Sequence, residues 1–204
     1  MEKIVVLVGL PASGKSTVAE ALGKKMDIPV VETSPFVFES VEERGLPVTP
    51  ENIKMVTTEL KSRSDYYYTQ KAFEFCQKEY VDKKVVFFAG MRAISEIKFL
   101  KEQLGRENVI VIGFHASQTT RFKRMSNPDR AGGSGDKAVE DKKLLNFDYF
   151  LAREEKELGF GAGSIFAMSD YVIKNDDLRY PYNTMKRNLI DFENILRLFL
   201  DNDQ

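Results

Sequence analysis

The sequence predicts an α/β fold, a five-stranded parallel sheet flanked by helices. Two observations predict it. Apolar, β-branched runs recur along the chain, each short enough for a buried strand, with amphipathic helical stretches between them. The first run, Lys3-Ile4-Val5-Val6-Leu7-Val8, leads straight into Gly9-Leu10-Pro11-Ala12-Ser13-Gly14-Lys15-Ser16-Thr17, and a helical stretch opening Val18-Ala19-Glu20-Ala21-Leu22 follows.

That loop fits G-x-x-x-x-G-K-[ST] in the strand–loop–helix context the phosphate-loop motif requires. Gly9 and Gly14 can take backbone angles closed to other residues, so the chain can wrap around an anion. The loop's peptide N–H groups, from Ala12 and Ser13 through Thr17, then surround the phosphates with the positive end of the following helix, with Pro11 in the same loop shaping its backbone without a donor of its own. Lys15 can reach the β- and γ-phosphate oxygens, and the Ser16 hydroxyl is placed to ligate Mg²⁺. The expectation is a P-loop NTPase fold that binds a nucleoside triphosphate, ATP with Mg²⁺.

The remaining elements follow in order. The first helix is expected to end near Lys24-Lys25, and Ile28-Pro29-Val30-Val31-Glu32 reads as a second strand with an acid at its end. Three helical stretches come next: Phe36 to Arg44, stopped by Gly45 and Pro47; Asn52 to Ser62, opened by Thr49-Pro50-Glu51; and Ser64-Asp65 through about Tyr80. Helices stacked between two strands suggest a helical acceptor-side insertion over 33–81. Lys84-Val85-Val86-Phe87-Phe88-Ala89 is a third strand, followed by a helix from Arg92 to Leu104. Asn108 to Phe114 is a fourth strand, followed by a helix from Ser117 to Met125. Asp170 to Lys174 is a fifth, and Asn183 to Leu200 a closing helix.

The irregular stretch from Ser126 to about Lys143 carries Gly132-Gly133-Ser134-Gly135 and the basic residues Arg130, Lys137, Lys142 and Lys143. In a phosphate-loop protein, basic residues on a glycine-hinged segment suggest a lid, assigned here to 126–158. The alternative is a solvated loop. All 204 residues then read as one domain.

Composition narrows the partners. Thirty Lys+Arg against 31 Asp+Glu leave no global field to attract nucleic acid, so anion binding must be local. The single cysteine, Cys76, excludes an internal disulfide and reads as a buried structural thiol. No N-terminal segment reads as a signal peptide, because a strand begins at residue 3, and no apolar run approaches the ~20 residues of a membrane span. A cytoplasmic location without a membrane partner is expected. Oligomeric state is not indicated.

Four stretches together resemble a known group: the phosphate loop; Glu43-Arg44-Gly45-Leu46-Pro47-Val48-Thr49-Pro50-Glu51-Asn52; Ala89-Gly90-Met91-Arg92; and Ala152-Arg153-Glu154-Glu155-Lys156-Glu157-Leu158-Gly159-Phe160-Gly161 leading to Ser169 through Asn175. The chain resembles the nucleoside monophosphate kinase and dephospho-CoA kinase group of phosphate-loop kinases. Within it, the chain looks closest to archaeal adenylate-kinase-like proteins of uncertain substrate. The resemblance implies a core sheet, a helical acceptor-binding insertion, a lid and a small-molecule phosphate acceptor, nucleotide or nucleotide-like. Arg121 and Arg124 match that group's arginines before the lid, and Arg153 a lid arginine that meets the transferring phosphate. Arginine suits such a task, because a planar, permanently charged fork can stabilise charge spread over phosphoryl oxygens.

Two departures bear on activity. The archaeal branch has Asp-Gly-x-Arg after the third strand, where this chain has Ala89-Gly90-Met91-Arg92. After the second strand the group places an aspartate and then an arginine, where this chain has Thr33-Ser34-Pro35-Phe36-Val37-Phe38. Glu32 is the one acid left there, either to orient an acceptor hydroxyl or a metal-bound water, or as an ordinary strand-end carboxylate. Arg92 serves an acceptor phosphate or caps local structure. Phe36 and Phe38 are candidates to line an apolar acceptor pocket, and one or two of Tyr66, Tyr67 and Tyr68 to face a substrate. His115 reads as structural or surface-exposed, and Gly159-x-Gly161-x-Gly163 as a turn system.

Two functions remain open on sequence. One is ATP-dependent phosphoryl transfer to a small molecule, with Lys15, Arg121, Arg124, Arg153 and Glu32 as catalytic residues. The other is a catalytically weak or inactive ATP-binding regulatory protein of the same fold.

Overall fold

The computed structural model describes residues 1–127, 146–176 and 184–201. The segment carrying Arg130, Gly132–Gly135, Lys137, Lys142 and Lys143 lies outside the described residues, and so does most of the expected lid.

Five strands form one all-parallel sheet in the order β2-β3-β1-β4-β5. They are β1 (Lys3–Val8), β2 (Val30–Glu32), β3 (Val85–Ala89), β4 (Val109–His115) and β5 (Tyr171–Lys174). β1 lies at the centre with every residue buried, which is why its sequence is continuously apolar rather than alternating. Its side chains divide by the two-residue period of a strand. Ile4, Val6 and Val8 join Val86, Phe88, Ile97, Leu100 and Ile165 on one face, while Val5 and Leu7 join Phe87, Val18, Leu22, Phe192 and Leu196 on the other.

The first face is covered by α4 (Tyr67–Glu79), α5 (Ile94–Leu104) and the short α8 (Ala162–Phe166); the second by α1 (Lys15–Met26) and α9 (Thr184–Asp201). Between β2 and β3, α2 (Ser34–Glu42), α3 (Pro50–Arg63) and α4 enclose a small core of their own around Val41, Val56, Leu60 and Tyr68. Two further helices, α6 (Gln118–Met125) and α7 (Phe147–Gly159), are joined by Phe122, Phe147 and Phe150, with ring centroids 4.9 to 5.8 Å apart. None of the described helices is long and apolar enough to cross a membrane.

Local chemistry sets the boundaries. α3 begins where the Thr49 side chain accepts a hydrogen bond from Asn52 N at 3.3 Å, with Pro50 at the first position as expected. Ser117 caps α6 through Thr120 N, and Asn146 caps α7 through Asp148 N and Tyr149 N. β2 starts two residues later than the apolar run suggested. The Ile28 amide is spent on Gly23 O at the end of α1, and Pro29 has no N–H to give to the sheet. α5 likewise starts at Ile94 rather than Arg92, because the Arg92 and Ala93 amides both donate to the Glu96 carboxylate at 2.7 Å. α1 starts earlier than its first apolar residue, at Lys15, immediately after Gly14 at φ 88°.

Tyr66, Tyr67 and Tyr68 are used in packing. Tyr66 stacks on Phe99 at 4.7 Å, and Tyr67 meets Tyr68 edge-on within the α2–α4 core. Phe36 packs edge-on against Phe75, and Phe38 is exposed. Cys76 is fully buried, and burial pushes its thiol up to about 12, which keeps it protonated and inert.

Phe192 links the closing helix to the sheet, its ring 5.0 Å from Phe87 and 5.8 Å from Phe114. Phe192→Ala is expected to destabilise the chain by about 3–5 kcal/mol, measured by urea unfolding. A loss below ~1 kcal/mol would mean that α9 is not part of the cooperative core.

Candidate active site

In a parallel sheet all the strands end on the same edge, and here that edge gathers the chemistry. Leu7 is in register with Ala89 and Ile112, Glu32 with Ala89, and His115 with Lys174. Gly9, Glu32, Ala89 and His115 therefore occupy neighbouring strand ends, and the phosphate loop rises from the middle of the row.

The loop has the conformation its sequence predicts. Gly9 and Gly14 have φ of 150° and 88°, and a side chain at either would collide with its surroundings. A Cβ on Gly9 would lie 2.5 Å from Phe114 O, and one on Gly14 2.0 Å from Asn175 Nδ2. Ala12 also takes a left-handed φ, 61°, a conformation that a non-glycine residue keeps only under constraint. Asn175 and Arg124 supply that constraint. Buried Asn175 donates through Nδ2 to Ser13 O at 2.6 Å, and its own Oδ1 accepts from the fully buried Asn188 at 2.5 Å. Arg124 donates to Ala12 O at 3.3 Å and to Asn175 O at 2.7 Å.

The N-terminus of α1 has neither a side-chain cap nor an acid in its first turn. The amides of Gly14, Lys15, Ser16 and Thr17 precede the first intrahelical hydrogen bond, so their positive ends face outward from the loop. Pro11 is partly buried in the same turn, and Ser13 is almost wholly buried. Lys15 folds back to donate to Gly9 O at 3.2 Å, a weak bond that an incoming anion could replace. Anion-facing amides and a lysine turned inside the loop fit a phosphate chain. A hydroxyl in the first helical turn, that of Ser16, fits a Mg²⁺ ion that takes most of its ligands from water and phosphate. No cluster of three or more His, Cys, Asp or Glu among the described residues forms a separate metal site.

Around Lys15 stand two carboxylates and two guanidinium groups. Burial lowers the Lys15 pKa from its usual value; the charges of Glu157 and Glu32 raise it, and those of Arg92 and Arg153 lower it, with a net decrease. Glu32 and Arg153, both expected at the site, thus lie within electrostatic reach of the lysine. Arg153 makes no ion pair with the described residues. Arg92 is held by Glu157, its Nε donating at 2.7 Å and its second terminal nitrogen at 3.2 Å, and its guanidinium lies over the Phe160 ring. Arg153 and Glu157 are four residues apart on α7, so one face of that helix presents both.

Arg121 is not brought into this group as an open cation. It is 6% exposed, pairs with the equally buried Glu154, and donates through Nε to Ala116 O at 2.9 Å. Burial lowers its pKa, opposed by the nearby charge of Asp176. The pair fixes α7 against α6. Thr17 is exposed on α1, and His115, at the end of β4, is also exposed. A separate, largely apolar pocket of about 110 Å³ is lined by Leu10, Ser13, Phe114, Arg121, Leu158 and Phe166 among others. It contains none of Lys15, Glu32, Arg92 or Arg153, so the charged site lies elsewhere.

Sequence reasoning assigned no role to Asn175, Asn188, Glu96, Glu154 or Glu157. Glu96 organises the β3–α5 loop, accepting the two amides described above and the buried Thr69 hydroxyl at 2.8 Å. The available signals were an asparagine directly after the fifth strand and the Arg153–Glu157 spacing on a helix.

Similarity to known proteins agrees with this geometry. The AAA domain family matches residues 8–143, from the end of β1 past α6. A UPF0200 protein of Pyrococcus abyssi is 34% identical over 200 residues, covering 97% of each chain. One of Methanocaldococcus jannaschii is 28% identical over 98% of this chain and 91% of its own. Among solved structures, a shikimate kinase from Acinetobacter baumannii in complex with shikimate superposes with a TM-score of 0.57 at 16% identity, covering 98% of this chain and 94% of that one. An unliganded sugar kinase from Janibacter gives 0.52 at 16% identity, with 95% of each chain covered. At that identity the likeness is one of fold.

Lys15 yields a pH-dependent prediction. Its folded pKa lies below the ordinary 10.5, so unfolding takes up a proton between the two values. The resulting penalty on the folded state is complete below the folded pKa and fades as pH rises towards 10.5. Lys15→Met is therefore expected to raise the ligand-free chain's denaturation midpoint at neutral pH, with the gain shrinking in alkali. Equal midpoints at neutral pH would contradict this.

Proposed function

The chain belongs to the AAA domain family and is a relative of the archaeal UPF0200 proteins, and on that premise we propose that it transfers the terminal phosphoryl group of ATP to a small molecule. One observation carries the proposal. An uncapped helix N-terminus, a lysine turned into its loop, and two carboxylates and two arginines whose charges act on that lysine come together. An anion site alone would need only the first two features.

In this reading the amides of Gly14 to Thr17 and Lys15 bind the triphosphate. Ser16 would hold Mg²⁺, which supplies charge neutralisation between the β- and γ-phosphates. Arg153 reaches the transferring phosphoryl group, and Arg124 keeps the loop in shape through Ala12 O and Asn175 O. Arg121 positions α7 through Glu154 rather than meeting the phosphate directly. Glu32 faces the acceptor, which enters from the side of α2–α4 over 33–81. By resemblance, 126–158 forms the lid. By resemblance the acceptor is nucleotide-like, and the setting cytoplasmic.

A second reading, an ATP-binding regulator with little transfer, is favoured by one observation: Arg92 and Arg121 are both engaged by carboxylates of α7. Labelled-phosphate transfer from ATP-Mg²⁺ to nucleoside monophosphates, dephospho-CoA and water separates the two. Transfer to one acceptor is expected, reduced about 10²-fold or more in Lys15→Ala. Tight ATP binding with no labelled product from any acceptor would favour the regulator.

A further inference from the structure

β3 ends in Ala89 and β2 is followed by Thr33-Ser34-Pro35, so Glu32 is the one acid that these two strand ends offer an acceptor. A second carboxylate reaches this edge from another element. Glu157 projects from α7 towards the β3–α5 loop, and three features fix it there. The bidentate bond from Arg92 sets its plane, at 2.7 and 3.2 Å. Gly161, two residues beyond the end of the helix, packs so closely on Arg92 O that a Cβ would come within 2.5 Å of it. Glu96 in turn holds the Arg92 amide, so both ends of the contact are anchored in the core. The Glu157 side chain retains 17% exposure, enough to meet a small ligand.

We infer that Glu157 is the general base of the transfer and that the acceptor reacts through a hydroxyl group. This rests on the phosphoryl-transfer reading above. The acceptor oxygen forms a bond to the γ-phosphorus while the bond from that phosphorus to the β,γ-bridging oxygen breaks. The nucleoside diphosphate leaves with that electron pair, and the hydroxyl proton passes to the Glu157 carboxylate.

Charge balance favours a hydroxyl over a phosphate nucleophile. Arg92, the cation of the β3–α5 loop, is already paired with Glu157, and Glu32 places a negative charge at the neighbouring strand end. A dianionic acceptor would find that cation already engaged and the Glu32 carboxylate beside it, whereas a neutral hydroxyl needs no cation. Glu157 also acts on the Lys15 charge, as expected of a group close to the transferring phosphate.

The test uses the full chain, ATP-Mg²⁺ with three acceptors (water, adenosine and AMP), and a separate ATP-binding titration. The expected result is phosphorylation of a hydroxyl, of water or of a ribose, falling about 10²- to 10⁴-fold in Glu157→Gln and Glu157→Ala at unchanged ATP affinity. Added acetate should partly restore Glu157→Ala, because a small carboxylate can occupy the space left; a merely structural role would show no such rescue. Transfer to the phosphate of AMP, undiminished in Glu157→Gln, would overturn the inference. So would transfer to a hydroxyl that is undiminished in Glu157→Gln. ATP binding without transfer to any of the three, or no ATP binding at all, would instead remove the reading on which the inference rests.

Discussion

The hydrogen bond from Asn175 to Ser13 O holds the site together. A loop with left-handed angles at Ala12 and Gly14 does not persist by its own propensity, least of all at an alanine. Asn175 follows the edge strand β5, and Asn188 on the closing helix fixes its amide in turn. The loop is therefore shaped by residues more than 160 positions away in sequence. Its free amides stay free because their neighbours, not a ligand, satisfy the carbonyls of the turn.

The same logic governs α7. Its position depends on the Arg121–Glu154 pair and on the aromatic contact of Phe147 and Phe150 with Phe122, both at the α6 interface. An ion pair buried this deeply contributes less to net stability than to geometry, since breaking one side would leave an uncompensated charge. One turn of helix separates Glu154 from Glu157. Glu154 pairs with Arg121 and Glu157 with Arg92, so the helix is tied both to α6 and to the β3–α5 loop.

The fold was largely legible in the sequence, because buried parallel strands announce themselves as unbroken apolar runs and the motif fixed the first strand, loop and helix. Boundaries slipped where a backbone amide had a partner outside its own element, as at Ile28 and Arg92. The loop was legible for the same local reason. The rest of the site was not, because it depends on contacts between distant elements. Nothing near Arg121 in sequence indicates that Glu154 engages it, and nothing near Ala89 indicates that Glu157 approaches the same edge. Phe36 and the tyrosines at 66–68 looked available for a ligand, and packing used them instead, Tyr66 against Phe99 and Phe36, Tyr67 and Tyr68 in the core of the α2–α4 helices.

The central claim is that the first turn of α1 is a preformed anion site, held open by Asn175 and Arg124. Amide hydrogen exchange at Gly14, Lys15, Ser16 and Thr17, with and without ATP-Mg²⁺, tests it most directly. These amides are expected to exchange readily in the free chain and to become protected on adding the triphosphate. In Asn175→Ala that protection should weaken. Amides that are already protected in the free chain, or that stay unprotected at saturating ATP, would contradict it.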